Sequence, residues 1–149
     1  MLRRIKVNPM LADHAEVADG KLFINGGGWT LTGPNPTPFA IAMTLEMPRE
    51  SAGVQHTVRW ELLDDQGHPV LVPGPMGVTP MVIQGEFTPE EHPDLPNGAP
   101  LTAAFAVFVG PVPLPPGGRY EWRLMIDEET HEDWRLGFNT RPVAQSDVG

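Results

Sequence analysis

The sequence predicts an all-β domain, and three observations carry that prediction. Apolar and polar residues alternate with a period of two in several short segments, while helical periodicity is nearly absent. The 18 prolines and 16 glycines cluster between those segments, where they mark turns. Turn signals recur roughly every ten residues without an internal repeat. We therefore expect a two-layer antiparallel β-sandwich, immunoglobulin-like in arrangement, with a partly closed barrel as the second choice.

The clearest strands show which side chains point inward. In 39–47, five apolar residues from Phe39 to Met47 occupy every second position. The segments 56–63, 119–126 and 133–138 alternate in the same way, so their other residues are expected in water. The predicted inward residues of these three segments are Val58, Trp60, Leu62, Tyr120, Trp122, Leu124, Ile126, Trp134, Leu136 and Phe138.

Two hairpins are predicted from turn residues. Asp19-Gly20 separates Ala15–Ala18 from Lys21–Ile24, and this dipeptide favours a turn in which both residues have positive φ. The alternative for this region is a short helix over Pro9–Ala18, whose apolar residues also fit a period of 3.6. Further along, 64–68 supplies turn residues before 69–72, which is expected to return beside the preceding strand.

The segment 101–109, LTAAFAVFV, is apolar on both sides. Such a pattern is typical of a central strand covered on both faces, and equally of a strand whose outer face meets a partner. The sequence leaves both alternatives open.

Length and composition bound the organisation of the chain. With 149 residues and no cysteine, it is long enough to fold without disulfide bonds or thiolate metal sites. We assign 1–141 to one β-sandwich domain and 142–149 to a flexible polar tail. The basic start, 1–6, is followed by Asn8 and Pro9 rather than by an apolar h-region, and no window reaches membrane-spanning length. A cytoplasmic protein without membrane contacts is expected.

The charge of the chain argues against nucleic acids as partners. The formal net charge is −9, from 19 acidic and 10 basic residues. Binding to a phosphate backbone would bring like charges together, so we expect neither DNA nor RNA to bind.

Candidates for catalysis are few. Neither Ser51 nor Ser146 lies in a G-x-S-x-G elbow, and cysteine is absent. The glycine run 26–28 is followed by β-prone residues and prolines, so it lacks the helix that a phosphate loop requires. A carboxylate pair such as Glu61 and Glu121 would suit a hydrolase, but alternation places both on solvated faces. We therefore predict no catalytic residue.

Metal ligands are also not indicated. Asp13 and His14 form the most notable polar pair, and we expect them to hydrogen-bond locally at a strand end. The acidic run 127–133 has adjacent acids and no glycine, unlike a calcium loop. We predict no metal site and no cofactor. No pair among the five histidines has the spacing of a known ligand pair: His14, His56, His68, His92 and His131.

The proline-rich segment Pro113–Pro116 contains a PxxP pattern, which occurs in polyproline ligands of aromatic grooves. Prolines between two strands of a compact domain also rigidify a connection. We expect the second role here.

Two stretches carry a resemblance. Leu11–Trp29 contains an ADGK hairpin and a glycine–tryptophan turn, and Leu114–Ile126 is close to a PPGRYEWRL strand but has the additional Gly118. The chain thereby resembles, end to end except for its tail, a family of uncharacterised bacterial proteins of actinobacterial type and about this length. The resemblance implies a single, largely β-strand domain in a bacterial cytoplasm. It implies no activity, cofactor or catalytic residue.

These observations favour a non-catalytic β-sandwich module that binds a protein partner or forms a homodimer. Fold-defining residues account for nearly every notable feature, and the apolar strand 101–109 motivates self-association. The alternative is a small-molecule or carbohydrate-binding domain, possibly hydrolytic, that uses aromatic residues outside the core such as Trp29 and Phe108.

Overall fold

The structure, a computed structural model, describes residues 5–143. Within that range the chain forms eleven β-strands and a 3-10 turn at Arg49–Ser51, and it contains no α-helix. Most of the tail predicted for 142–149 lies outside the described residues. In chain order the strands are Lys6–Ala18 (β1), Lys21–Gly27 (β2), Leu31–Thr32 (β3), Phe39–Met47 (β4), His56–Asp64 (β5), Leu71–Gly74 (β6), Gly77–Pro80 (β7), Val82–Phe87 (β8), Leu101–Val109 (β9), Arg119–Ile126 (β10) and Arg135–Thr140 (β11).

Two sheets pack face to face around one core. The first sheet has the strand order β2-β1-β4-β9, and the second has the order β3-β11-β10-β5-β8. Only the short pair β3 and β11 is parallel among the described strands. Buried side chains of both sheets form the core, among them Met43 of β4, Trp60 of β5 and Trp122 of β10, and Trp134, which directly precedes β11, packs into it. The predicted all-β, two-layer antiparallel sandwich is confirmed. The first sheet also curls, since β1 and β2 approach β9 across it.

The alternation predicted for the core strands is confirmed. Phe39, Ile41, Met43, Leu45 and Met47 of β4 are all buried in the core. The predicted inward residues of β10 are buried as well, and every residue between them is only half-buried. Apolar residues at period two therefore fixed which face of these strands turns inward.

The first hairpin is confirmed, and the helical alternative over Pro9–Ala18 is wrong. β1 and β2 pair through Ala18 and Lys21, and the turn residues Asp19 and Gly20 have φ values of 52° and 70°. Both lie in the left-handed region that an Asp-Gly turn of this type needs. Residues 9–18 pair as a strand with both β2 and β4, and these hydrogen bonds stabilise the strand more than the weak helical periodicity of the sequence favours a helix.

The strand expected at 69–72 is placed differently from the prediction. Val70 still hydrogen-bonds to Leu62 of β5, but Leu71–Gly74 leaves that strand and pairs with Gly77–Pro80. Prolines at Pro69 and Pro73 lack the N–H that a longer ladder beside β5 would use. The result is a small projecting hairpin, β6 and β7, which forms a separate two-stranded sheet.

Candidate functional site

The strand β9 forms an edge of the first sheet, so its reading as a central strand is wrong. All nine of its residues pair with β4, from Phe39 opposite Val109 to Met47 opposite Leu101. No strand in the described part of the chain pairs with its other side. In residues 5–143 no hydrogen bond reaches the backbone groups that β9 directs away from β4, which we call the β9 edge. It is a row of free donors and acceptors about 30 Å long.

The β9 edge lacks the features that protect strand edges against pairing. Sheet edges are usually blunted by charges, prolines, glycine bulges or short length. The other three edges of the two packed sheets have such features: β2 carries Lys21 and ends in glycines, β8 carries Gly85 and Glu86, and β3 has two residues. β9, with the sequence LTAAFAVFV, has no charge, proline or glycine. It is therefore the edge of this fold best suited to accept another strand.

The face of the first sheet that turns away from the core is apolar near one end of β9. Phe108 is 69% exposed there. On the same face Ala12, Ala40 and Ala42 are buried and Ala106 is half-buried, and β1 and β2 approach β9 across the curled sheet. An aromatic ring left in water beside a free edge is typical of an interaction surface. The register forms two rows across this face: Ala12, Ala40 and Phe108, then Met10, Ala42 and Ala106.

A cleft of about 850 Å³ opens at the end of the sandwich where β4 and β10 end and β5 and β9 begin. We call it the basal cleft. Its walls are the 3-10 turn after β4, the segment 98–100 and the turn that follows β10. Buried Trp134 contributes to its lining, and so do His56 and Asp127.

His56 and Asp127 are in direct contact in the wall of the basal cleft. His56 begins β5 on the inward face, two steps of alternation before Trp60, and it is buried. Its Nδ1 lies 2.6 Å from Oδ2 of Asp127, and its Nε2 lies 3.4 Å from the carbonyl oxygen of Ser51. The backbone N–H of Thr57 donates to the other carboxylate oxygen at 3.0 Å. Asp127 reaches β5 because it has a φ of 51°, which turns the chain back after β10.

Electrostatics fix the roles of this pair. Partial burial acts to raise the pKa of the Asp127 carboxyl, but the hydrogen bonds from His56 and Thr57 and the charge of His56 outweigh it and hold that pKa below its usual value. Asp127 is thus an anion at neutral pH and accepts the Nδ1–H of His56. The other ring nitrogen faces the carbonyl of Ser51, not its hydroxyl. The pair therefore ties β5 to the turn after β10, and no nucleophile is seen in contact with it.

Sequence reasoning did not find the contact between His56 and Asp127. The two residues are 71 positions apart, and the histidine spacing gave no signal. Alternation in β5 does place His56 on the same side as Trp60 and Leu62. The sequence therefore could have predicted an inward histidine that needs a polar partner. The identity of that partner was not, because it depends on the antiparallel pairing of β5 with β10.

Glu61 and Glu121 lie on the outward face of the second sheet, as alternation predicts. An oxygen of Glu61 is 2.8 Å from a guanidinium nitrogen of Arg59, and one of Glu121 is 3.2 Å from Arg123 and 3.9 Å from Arg135. The register sets Arg123 opposite Glu61. Each carboxylate is neutralised by a neighbouring arginine, and the structure does not bring the two together over a cleft.

The other polar candidates are also separated. Asp13 and His14 are exposed on the first hairpin, where the Asp13 carboxylate lies against Gly26. The acidic run is divided, since Asp127 turns to His56 while the ring of His131 packs on Trp134 with centroids 4.5 Å apart. Within the described part of the chain, no group of three histidine or carboxylate side chains is arranged to hold a metal ion.

Two further candidates have structural contacts. Trp29 is half-buried and packs edge-on against Phe39 and Phe138, with ring centroids at 5.7 and 6.1 Å. Of the two aromatics proposed to bind a ligand outside the core, only Phe108 is outside it. The proline segment Pro113–Pro116 connects β9 to β10, and the carbonyl of Pro115 accepts a hydrogen bond from the Thr140 hydroxyl at 2.8 Å. The connecting role expected for these prolines agrees with that contact.

Comparison with known proteins identifies the family. A family of unknown function, DUF6941, matches residues 9–138, and the chain belongs to it. No curated protein matches the sequence. In residues 5–143, no helix has the length and apolar character needed to cross a bilayer.

Proposed function

We propose that this DUF6941 protein is an interaction module that pairs with a second copy of itself through the β9 edge. The observation that carries the proposal is the unprotected edge of β9, nine residues without charge, proline or glycine and without a strand on its free side. Pairing with another chain would satisfy the free backbone donors and acceptors of both copies. The candidate site is therefore the backbone edge of a strand, and no side chain is assigned a catalytic role.

An antiparallel pair of β9 strands is compatible with two-fold symmetry. In such a dimer the same surface is used by both copies, and the two four-stranded sheets become one continuous sheet. Phe108 lies near one end of β9, so each copy would place this exposed ring beside the opposite end of the partner strand. Burial of both rings would add to the hydrogen bonds of the edge.

The charge distribution supports contact at this position. Two copies that each carry a net charge of −9 repel each other, and the repulsion acts over roughly 8–10 Å at moderate salt. β9 has no charge, and at the polar end of the same face Lys6 and Glu46 form an ion pair at 3.5 Å. Pairing through the β9 edge therefore keeps most of the acidic surface apart.

Sedimentation velocity at micromolar concentrations tests the proposal. We expect the parent protein to reach twice the chain mass of 16.3 kDa. Ala104→Lys should return it to the monomer, because a lysine on an edge strand opposes pairing with an identical strand. Ala18→Lys, an exposed alanine at the tip of the first hairpin, is the matched control and should associate like the parent.

Two outcomes would contradict this function. A parent protein that sediments only at 16.3 kDa would exclude self-association at these concentrations. An Ala104→Lys variant that dimerises like the parent would place the contact elsewhere on the molecule.

A further inference from the structure

The hairpin of β6 and β7, residues 70–81, exposes apolar side chains as β9 does, and we call it the apolar arm. It contains no charged residue, although the chain has a net charge of −9. Met76 at its tip is fully exposed, Val78 is 71% exposed and Leu71 is 56% exposed. The arm pairs only with itself beyond Val70 and Met81. Packing within the domain does not account for these three side chains.

The apolar arm and the basal cleft are at opposite ends of the sandwich. The arm leaves the second sheet next to Leu62, near the end of β5. His56, in the wall of the cleft, is at the start of the same strand. The two positions are about 20 Å apart along β5, and the four residue pairs of the arm span only about 13 Å, so the arm does not reach the cleft of its own chain.

We infer that the apolar arm of one copy inserts into the basal cleft of another. The cleft offers apolar contacts from Val54, Ala99, Pro100 and Ile5, and the ring of His131, which packs on buried Trp134, also lies in its lining. A methionine thioether packs favourably against aromatic rings and adapts to irregular cavities. Met76 is thus a suitable side chain for this cleft.

Charge and size agree with this occupant. The wall of the cleft carries the carboxylates of Glu50, Asp127 and Glu129 against the single guanidinium of Arg49. It would therefore oppose an acidic segment, whereas the arm is uncharged. From strand geometry, the two faces and the tip of the arm together offer a surface on the order of 400 Å². That is about half of the area per partner in a stable complex, so we expect a weak contact whose association is measurable at high protein concentration without the β9 pair.

The symmetry of this contact differs from that of the β9 pair. Arm and cleft are different surfaces, so the contact is heterologous and can continue from copy to copy. It does not depend on the β9 edge. At protein concentrations well above the micromolar range in which the β9 pair is expected, both contacts together would link dimers into larger assemblies.

Charge substitutions at the tip of the arm give the first test. Sedimentation is measured in the Ala104→Lys background, in which pairing through the β9 edge is suppressed, at increasing protein concentration. We expect residual association that Met76→Glu weakens at least about tenfold, the effect of removing a central contact residue. Met76→Lys should retain it, because the lysine meets Glu50 and Glu129. Absence of association in this background, or equal loss with both substitutions, would overturn the inference.

Complementary variants give the second test. Val54→Glu blocks the cleft and Met76→Glu blocks the arm, so each protein alone should be monomeric in the Ala104→Lys background. An equimolar mixture retains one intact arm and one intact cleft, and it should form a one-to-one heterodimer. A mixture that remains monomeric would refute the contact, while the dimerisation of the parent through β9 would be unaffected.

Disulfide trapping identifies the surfaces directly, since the chain has no cysteine. Mixed Met76→Cys and Val54→Cys proteins should form a mixed disulfide under mild oxidation. Crosslinking of Met76→Cys only with itself would instead show contact between two arms, and would contradict the insertion. The matched Ala18→Cys protein should not crosslink with Met76→Cys above background.

Discussion

Replacement of Asp127 by asparagine tests the tie between β5 and the turn after β10. Asparagine tolerates the positive φ of 51° as well as aspartate does, so the backbone preference is kept and only the charge is lost. Two hydrogen bonds lose their charged acceptor, one from buried His56 at 2.6 Å and one from the Thr57 N–H at 3.0 Å. Charge-assisted hydrogen bonds exceed neutral ones by about 1 kcal/mol. Because the Asp127 side chain is 47% exposed, solvent screening reduces the total loss to about 1–2 kcal/mol.

The expected effect can be measured by thermal and urea unfolding at pH 6 to 7. An unfolding entropy of about 2.1 cal/mol/K per residue converts this loss into a decrease in Tm of roughly 3–6 °C for a chain of this length. Glu128→Gln is the matched control, because it removes an exposed carboxylate from the other positive-φ position of the same turn. The control should lie within about 0.5 kcal/mol of the parent.

The pH dependence of the same variant checks the electrostatic cause. The pKa of the Asp127 carboxyl is lower in the folded state than its usual value. Such a group stabilises the fold above its unfolded pKa of about 3.9, and that stabilisation is lost as the pH falls through the folded value. The difference between parent and Asp127→Asn should therefore be full above about pH 5 and shrink below pH 4. A difference that is absent at pH 6, or that persists unchanged at the lowest pH at which both proteins fold, would refute the reasoning.

Three further outcomes are expected. Trp122→Ala should cost about 3–5 kcal/mol in urea unfolding, whereas Met125→Ala on the outward face of the same strand should cost much less. Similar losses for the two variants would contradict the assignment of faces. Gly26→Ala should destabilise the first hairpin by about 1–3 kcal/mol, because the residue has a φ of 61° and an added Cβ would overlap the Asp13 carboxylate. Millimolar calcium, magnesium or zinc should leave Tm unchanged; a saturable increase that chelation reverses would show a metal site.

The sequence predicted those parts of the fold that depend on local signals. Alternation over β4 and β10 gave the inward residues, and Asp19-Gly20 gave the first turn, because each signal is contained in a few adjacent residues. The parallel pairing of β3 with β11 and the departure of β6 from β5 were not predictable in this way. Both depend on which strands meet in space, and strand pairing is a non-local choice.

The same limit explains what was missed in the candidate site. The composition of LTAAFAVFV indicated either a covered strand or an interaction surface, and only the strand order distinguishes them. The β-prone Val-Leu-Val run at 70–72 predicts a strand that returns beside β5, whereas these residues belong to the apolar arm. Its exposure becomes visible only when its pairing is known.

The outer faces of the two sheets differ in a way that folding does not require. Both sheets contribute inward side chains to one core. The second sheet covers its outer face with arginine and glutamate, among them Arg59, Glu61, Glu121 and Arg123. The first sheet leaves Phe108 in water beside an uncharged edge. An alternating charged face keeps a sheet soluble and opposes pairing, and the first sheet lacks this protection at the edge through which we propose that two copies pair.

The offset of β2 explains why the β9 edge stays open within one chain. A curled sheet can satisfy its edges by closing into a barrel, and β2 does approach β9. However, β2 pairs with Ala12–Ala18 of β1, whereas β4 pairs with Lys6–Ala12 of the same strand. The two partners of β1 thus overlap only at Ala12, and β2 is displaced along the sheet by most of its length relative to β4 and β9. Because it cannot run beside the full length of β9, β2 leaves the β9 edge open in residues 5–143, and the proposed pairing with a second copy depends on that open edge.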